Sequence, residues 1–186
     1  MRRALKKDHL IEVAAKLFNR YGYHAAGVDR VIAEAGIAKT TLYRHFKSKD
    51  DLIVAVLRRV DAQYRDNMRE AVDKSASEPW QKILATFDVL ETWFAGATFF
   101  GCPFMSAASE YGDRSNPVFQ EVVMHKRLMV AYFEELARGA ELENPHRAAE
   151  TIHLLHEGAT AVAQVIGEAS AAAKAKTIAA KVLKET

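Results

Sequence analysis

Apolar positions recur along this chain at three- and four-residue spacing from one end to the other, and no alternating apolar and polar run reaches convincing strand length. The pattern predicts an all-α protein. Leu10, Ala14, Leu17, Phe18 and Tyr21 form the buried stripe of a first helix, which Gly22 ends as a left-handed cap. Val28, Val31 and Ile32 share one face of a short second helix reaching about Ala35, and Gly36 supplies the permissive backbone for a sharp turn. Leu42 and Phe46 resume the apolar face one turn apart on a third helix over residues 39–45. Ser48 and Asp51 stand at capping-box spacing, which starts a long helix near Lys49 that extends to about Lys74. Further helices are predicted over residues 80–95, 103–111, 117–138, 145–167 and 170–184. Pro79, Pro103, Pro117 and Pro145 each sit at or just before a predicted start, where the missing N–H costs nothing.

Two short helices joined by a glycine turn are the plan of a helix-turn-helix. On its second helix the outward positions are Lys39, Thr40, Thr41, Tyr43, Arg44 and His45. All of them donate hydrogen bonds and none is acidic. Such a helix fits a DNA major groove with phosphates on either side.

Net charge sharpens this reading. The total is only +2, but residues 1–65 carry 14 Lys and Arg against 7 Asp and Glu, leaving 12 against 17 for residues 66–186. A basic head therefore precedes an acidic body. Clustered cations release counterions from a polyanion on binding, which the head suits and the body does not. Hydrophobic residues at 49% and charged residues at 27% describe a soluble globular protein. No uninterrupted apolar run approaches the roughly 20 residues of a membrane span, and MRRALKKDHL lacks the apolar centre of a signal peptide. A cytoplasmic location is expected, in keeping with the single cysteine, Cys102. The expected organisation is a DNA-binding head over residues 1–48 and a helical body over residues 49–186.

With these residues in view, the chain resembles the TetR family of transcriptional regulators. Residues 10–52 carry the family's DNA-binding signature: the AAKLF run, GY at Gly22 and Tyr23, AEAGIAK across the turn, and TLYRHFKSKDDL beyond it. The segment GCPFMSAASEYGD, followed by NPVF and a helix bearing His125 and Lys126, also resembles a subgroup. The resemblance implies a homodimer whose heads read a palindromic operator while the bodies dimerise and bind a small effector. It implies that Lys39, Thr40, Thr41, Tyr43 and Arg44 meet bases and phosphates, that His45 lies at the groove edge and that Lys49 clamps the backbone. Tyr43 and Lys49 are the firmest phosphate contacts, and Arg44 is the choice for a guanine, since bidentate pairing favours that match. Three positions depart from the usual pattern: Gly27 replaces threonine, Ala38 serine and Thr40 glycine. Ala38 offers no side-chain cap, so packing must hold the third helix.

In the body, Trp93, Phe94, Phe100, Phe104 and Met105 crowd the middle of the chain, and His125, Met129 and Tyr132 follow. With His156 they are candidates for an apolar effector pocket with a few polar anchors. Core packing is the ordinary account of any one aromatic here; only the cluster suggests a pocket. Cys102, ahead of Pro103, is a candidate thiol sensor of electrophiles or oxidants, with an inert buried cysteine as the alternative. His153, His156 and Glu157 form HLLHE, which invites a metal-dependent hydrolase reading. No acid or cysteine at clear spacing completes a tetrahedral set, so no metal or cofactor is expected. An architectural DNA binder without an effector is the other rival. Alanines and aliphatics on the last two helices, among them Leu154, Val162, Val165, Ile166 and Ile178, predict pairing with a second copy as a four-helix interface.

Overall fold

The structure, a computed structural model, describes residues 2–183, with side chains from Lys6 to Leu183. Every regular element among these residues is an α-helix: α1 (Arg2–Tyr21), α2 (Val28–Ala35), α3 (Lys39–His45), α4 (Lys49–Ser75), α5 (Pro79–Phe94), α6 (Pro103–Glu110), α7 (Pro117–Gly139), α8 (Pro145–Ile166) and α9 (Ala171–Val182). Each proline is the first residue of its helix, as the missing amide hydrogen predicts. The reading of a last helix reaching Lys184 ends outside the described residues.

Two compact units divide the chain. The first holds residues 1–63 and 103–125, and the second holds residues 64–102 and 126–186. The first thus gathers α1 to α3, the start of α4, α6 and the start of α7 around Leu10, Phe18, Leu42, Leu52, Ile53 and Leu57, all at most 2% exposed. Gly36, at φ +60°, lets α2 reverse: its N–H bonds Ala33 and the next amide bonds Ile32. Gly22, at φ +83°, serves twice, because a Cβ there would also lie 2.9 Å from the Glu110 carboxylate. One expectation changes at this turn. Tyr21 is 38% exposed beneath the Arg30 guanidinium, 3.7 Å from its ring, and the buried aromatic is Tyr23 at 1%. The stripe spacing selected Tyr21, but α1 ends there and the turn swings the later ring inward.

The second unit is built on α5, α8 and α9, which pack together. Its core joins Met68, Ile83, Phe87, Leu90, Phe133 and Ile152 to the small residues Ala149, Ala172 and Ala179. Alanines at the contact let the helix backbones approach closely, while the larger side chains supply most of the burial.

Candidate nucleic-acid interface

α3 presents its polar side chains because Leu42 and Phe46, the residue that follows the helix, turn inward. Leu42 and Phe46 are buried; Lys39, Thr40, Tyr43 and Arg44 are exposed, and Thr41 and His45 half-buried. Neither Gly27 before α2 nor Ala38 before α3 makes a side-chain cap. Burying Leu42 and Phe46 stabilises by about 1.5–3 kcal/mol each, against roughly 0.5–2 kcal/mol for a capping serine. Packing therefore outweighs the missing cap.

The cations flanking this face are already engaged. Lys39 donates to Asp29 at 2.9 Å, and that hydrogen bond raises the lysine's pKa. Both side chains are exposed, so water screens the pair and a phosphate can take the carboxylate's place. The start of α4 is fixed by the expected capping box: Ser48 N–H donates to Asp51, and Asp51 N–H donates to Ser48 Oγ, each at 3.1 Å. Lys49 follows immediately and donates from Nζ to the His24 carbonyl at 3.1 Å. Burial pulls its pKa down, while Glu110 and Asp50 oppose that shift. Beside α3, a groove of about 540 Å³ is lined in part by Lys7, His45, Phe46, Arg58 and Arg59, with the Lys7 ammonium 5.6 Å from the Phe46 ring. Arg58 is paired with Glu121 and Arg59 with Asp8.

The α1–α2 turn behind this face is tied down by polar contacts. Glu110 accepts the Tyr23 and His24 amides at 2.9 and 2.6 Å, and the Tyr23 hydroxyl donates to the Pro103 carbonyl at 3.0 Å. His24 stacks on Tyr111, whose hydroxyl donates to Asp50 at 3.0 Å.

The proposed pocket residues divide between the two units. Phe104, Met105 and His125 belong to the first, where Phe104 stacks on His125 at 3.6 Å and His125 pairs with Asp61 at 2.8 Å. Trp93, Phe94, Phe100, Met129, Tyr132 and His156 belong to the second. There Trp93 meets Tyr64, Phe94 and Phe99 at 5.0 to 5.7 Å between ring centres, but Phe100 is 49% exposed and encloses nothing. His156 is core: its ring lies 4.4 Å from that of Phe87 and 4.7 Å from that of Phe133. The Thr86 hydroxyl gives its proton to the Ile83 carbonyl at 2.7 Å, so His156 Nε2 must be the donor in their 2.9 Å bond. Burial holds the imidazole neutral, with its pKa pushed down to about 3. The HLLHE residues do not converge. His156 binds Thr86, the His153 ring faces Phe133, and Glu157 takes the Lys126 ammonium at 2.6 Å. Among the described residues no group of three His, Cys, Asp or Glu side chains is placed to hold a metal. Cys102 is 6% exposed, with its N–H donated to Gln164 at 3.1 Å.

Comparison with known proteins decides the family. Residues 10–56 match the family of bacterial regulatory proteins, tetR family. Residues 79–179, more than half of the chain, match the tetracyclin repressor-like C-terminal domain. The chain belongs to the tetR family. The structure of SCO4454, a TetR-family transcriptional regulator from Streptomyces coelicolor, superposes with a TM-score of 0.87 at 28% identity, covering 97% of this chain and 95% of that one. The HTH-type transcriptional activator FasR of Mycolicibacterium smegmatis is 34% identical over 90 residues, 46% of this chain and 41% of its own length. The match thus spans about two fifths of that relative. The HTH-type transcriptional repressor NemR of Escherichia coli is 23% identical over 167 residues, 86% of this chain and 84% of that protein.

For a tetR-family chain, the signature segment was visible in the sequence, whereas the residues that brace it were not. Asp50 lies within TLYRHFKSKDDL, and Glu110 and Tyr111 within GCPFMSAASEYGD, but nothing in those segments marks them as partners of the α1–α2 turn, and Glu110 lies 86 and 87 residues from its amide donors. Asp61 beside His125 and Tyr64 beside Trp93 were missed for the same reason. Only an apolar-face count on α6, which leaves Glu110 at its last position, hints that this carboxylate turns toward another element.

Proposed function

We propose that this chain is a homodimeric, ligand-responsive transcriptional regulator that reads a palindromic DNA operator through α3. A small apolar or amphipathic effector releases it. The observation that carries the reading is the face of α3: Lys39, Thr40, Tyr43 and Arg44 stand exposed, every one a hydrogen-bond donor, on a helix anchored by buried Leu42 and Phe46. Tyr43 and Lys49 contact phosphates, Arg44 reads a guanine, and Thr40, Thr41 and His45 line the groove. The effector reading now rests on the aromatic group of the second unit, Trp93 and Phe94 with Tyr64 and Phe99, supported by Met129 and Tyr132. Dimerisation is supported by apolar side chains left in solvent on α8 and α9: Leu154 at 71%, Val165 at 84%, Ile166 at 70% and Ile178 at 48%. Leu154, Ala161 and Val165 fall on one face of α8, an unfavourable exposure that a second copy removes.

No catalytic residue is assigned, and the protein acts in the cytoplasm; among the described residues no helix is long and apolar enough to cross a membrane. FasR is named an activator and NemR a repressor, and repression is the reading preferred here. The test is selection of duplexes from a random-sequence DNA library by the intact protein, followed by titration at several salt concentrations. Expected is a two-fold symmetric site whose log affinity falls with log salt by about 0.9 per neutralised phosphate. Absence of salt-sensitive binding to any duplex overturns the reading. Thermal-shift screening with hydrophobic compounds then separates an effector-responsive regulator from an architectural DNA binder, because a ligand of the native state raises apparent stability.

A further inference from the structure

The α1–α2 turn is fastened to both ends of α6. Tyr23, 1% exposed, donates its hydroxyl to the carbonyl of Pro103, the first residue of α6. Glu110, the last residue, receives the Tyr23 N–H on Oε1 at 2.9 Å and the His24 N–H on Oε2 at 2.6 Å, with His24 Nδ1 3.0 Å from Oε2. Both oxygens of this carboxylate are thus committed to the turn. The carbonyl of the same His24 accepts the Lys49 ammonium at 3.1 Å. Glu110 holds one backbone group of His24 while Lys49 is held by the other.

We propose that Glu110 is a positioning residue for DNA binding: by fixing His24 it fixes the carbonyl that aims Lys49 at an operator phosphate. The proposal rests on the DNA-binding reading above. Charge and shape both matter in the cradle. A carboxylate offers acceptors to two N–H groups at once, and such charge-assisted bonds are the stronger kind. A glutamine of the same shape keeps one acceptor and turns its amide NH₂ against the second N–H. Gly22 belongs to the same cradle, since a Cβ there would lie 2.9 Å from Glu110 Oε1. When Glu110 lets go, His24 keeps only its stacking on Tyr111, and its carbonyl no longer gives Lys49 a fixed direction. Because Tyr23 and His24 grip both ends of α6, any displacement of that helix reaches Lys49 by the same route.

The experiment is a double-mutant cycle in the full chain, with the duplex selected by the wild-type protein as probe. Expected is a loss of about tenfold in affinity for Glu110→Gln when Lys49 is present, the scale of one charge-assisted hydrogen bond. In the Lys49→Ala background the same change should cost less than about twofold, because coupled residues do not add. Glu110→Gln should also lower the salt slope by about 0.9, as Lys49→Ala does, since one phosphate contact is lost. Equal losses in both backgrounds, or a salt slope unchanged by Glu110→Gln, make Glu110 merely structural and overturn the proposal. If circular dichroism shows Glu110→Gln unfolded, Glu110→Asp takes its place in the cycle, retaining the charge on a stem too short for both amides, with the same pattern expected. Should the wild-type chain select no duplex at all, the DNA-binding reading falls and takes this one with it; selection followed by additive losses removes this one alone.

Discussion

Both compact units are bridged by polar pairs far apart in sequence, Arg69 to Glu135 and Lys176 to Asp88 in the second among them, but they differ in what they leave exposed. In the first, polar groups bridge residues far apart in sequence: Glu110 to Tyr23 and His24, Tyr111 to Asp50, His125 to Asp61 and Arg58 to Glu121. In the second, Thr86, His156 and Thr160 are buried within a largely apolar core, and aliphatic side chains on α8 stand in solvent. In the first unit directional bonds join a buried core to hold an exposed polar face in fixed geometry. A unit packed by alanines and aliphatics has apolar surface left over, which suits association with another copy. The first therefore favours recognition and the second assembly.

The harshest way to break that contrast is to charge the leftover surface. Leu154→Glu combined with Val165→Glu replaces two exposed apolar side chains, so the fold should survive while the interface with a second copy does not. Sedimentation should shift from dimer to monomer, and operator affinity should fall by roughly 100-fold or more as two linked half-sites become independent. A dimer of unchanged operator affinity would refute the assembly role of α8. Next in size is the recognition face. Arg44→Ala should cost about 1–3 kcal/mol of binding and relax base preference at one operator position, whereas Tyr43→Ala should weaken all sequences alike. Selecting operators with each variant reads both effects, and identical base preferences would remove Arg44 from the groove.

The contrast also explains what was legible in the sequence. Helical period and the four prolines located α2 to α8 to within about one residue, because they are local signals, and the Ser48–Asp51 cap was readable from three-residue spacing. The polar face of α3 was legible because Leu42 and Phe46 dictate which side is hidden. Periodicity does not say what a buried face packs against. Phe104 and His125 looked like companions of Trp93 and His156, yet they sit in the other unit, and Phe100 is exposed. Nor does spacing reveal that α6 belongs with the first unit, since its bonds to the α1–α2 turn close loops of 80 to 87 residues.

A smaller effect distinguishes the second unit's core by pH. His156 is neutral in the folded state, with a pKa near 3, against about 6.5 when unfolded. Between those values the unfolded chain takes up a proton that the folded chain refuses. Stability is therefore full above about pH 6.5 and falls as pH drops from there toward 3. The slope from this one group is about 1.4 kcal/mol per pH unit. His156→Gln keeps an N–H for Thr86 but does not titrate, so urea unfolding between pH 7 and 5 should lose that component. An undiminished slope in the variant would mean that another group carries the acid sensitivity.

The smallest effect tests whether α3 depends on packing alone. Ala38 sits at its N-cap in extended backbone, φ −75° and ψ 148°, the geometry from which a serine hydroxyl reaches the amides of the first turn. Ala38→Ser should add about 1 kcal/mol of stability, the usual value of such a cap, seen as a raised urea midpoint. Because Leu42 and Phe46 already fix the helix, operator affinity at low temperature should change little. If the cap instead raises affinity as much as stability, α3 is partly frayed in the free protein and its face is completed only on binding. That outcome would move recognition from a preformed surface to one that DNA helps to order, and it would leave the bracing of the α1–α2 turn as the fixed element on which α3 assembles.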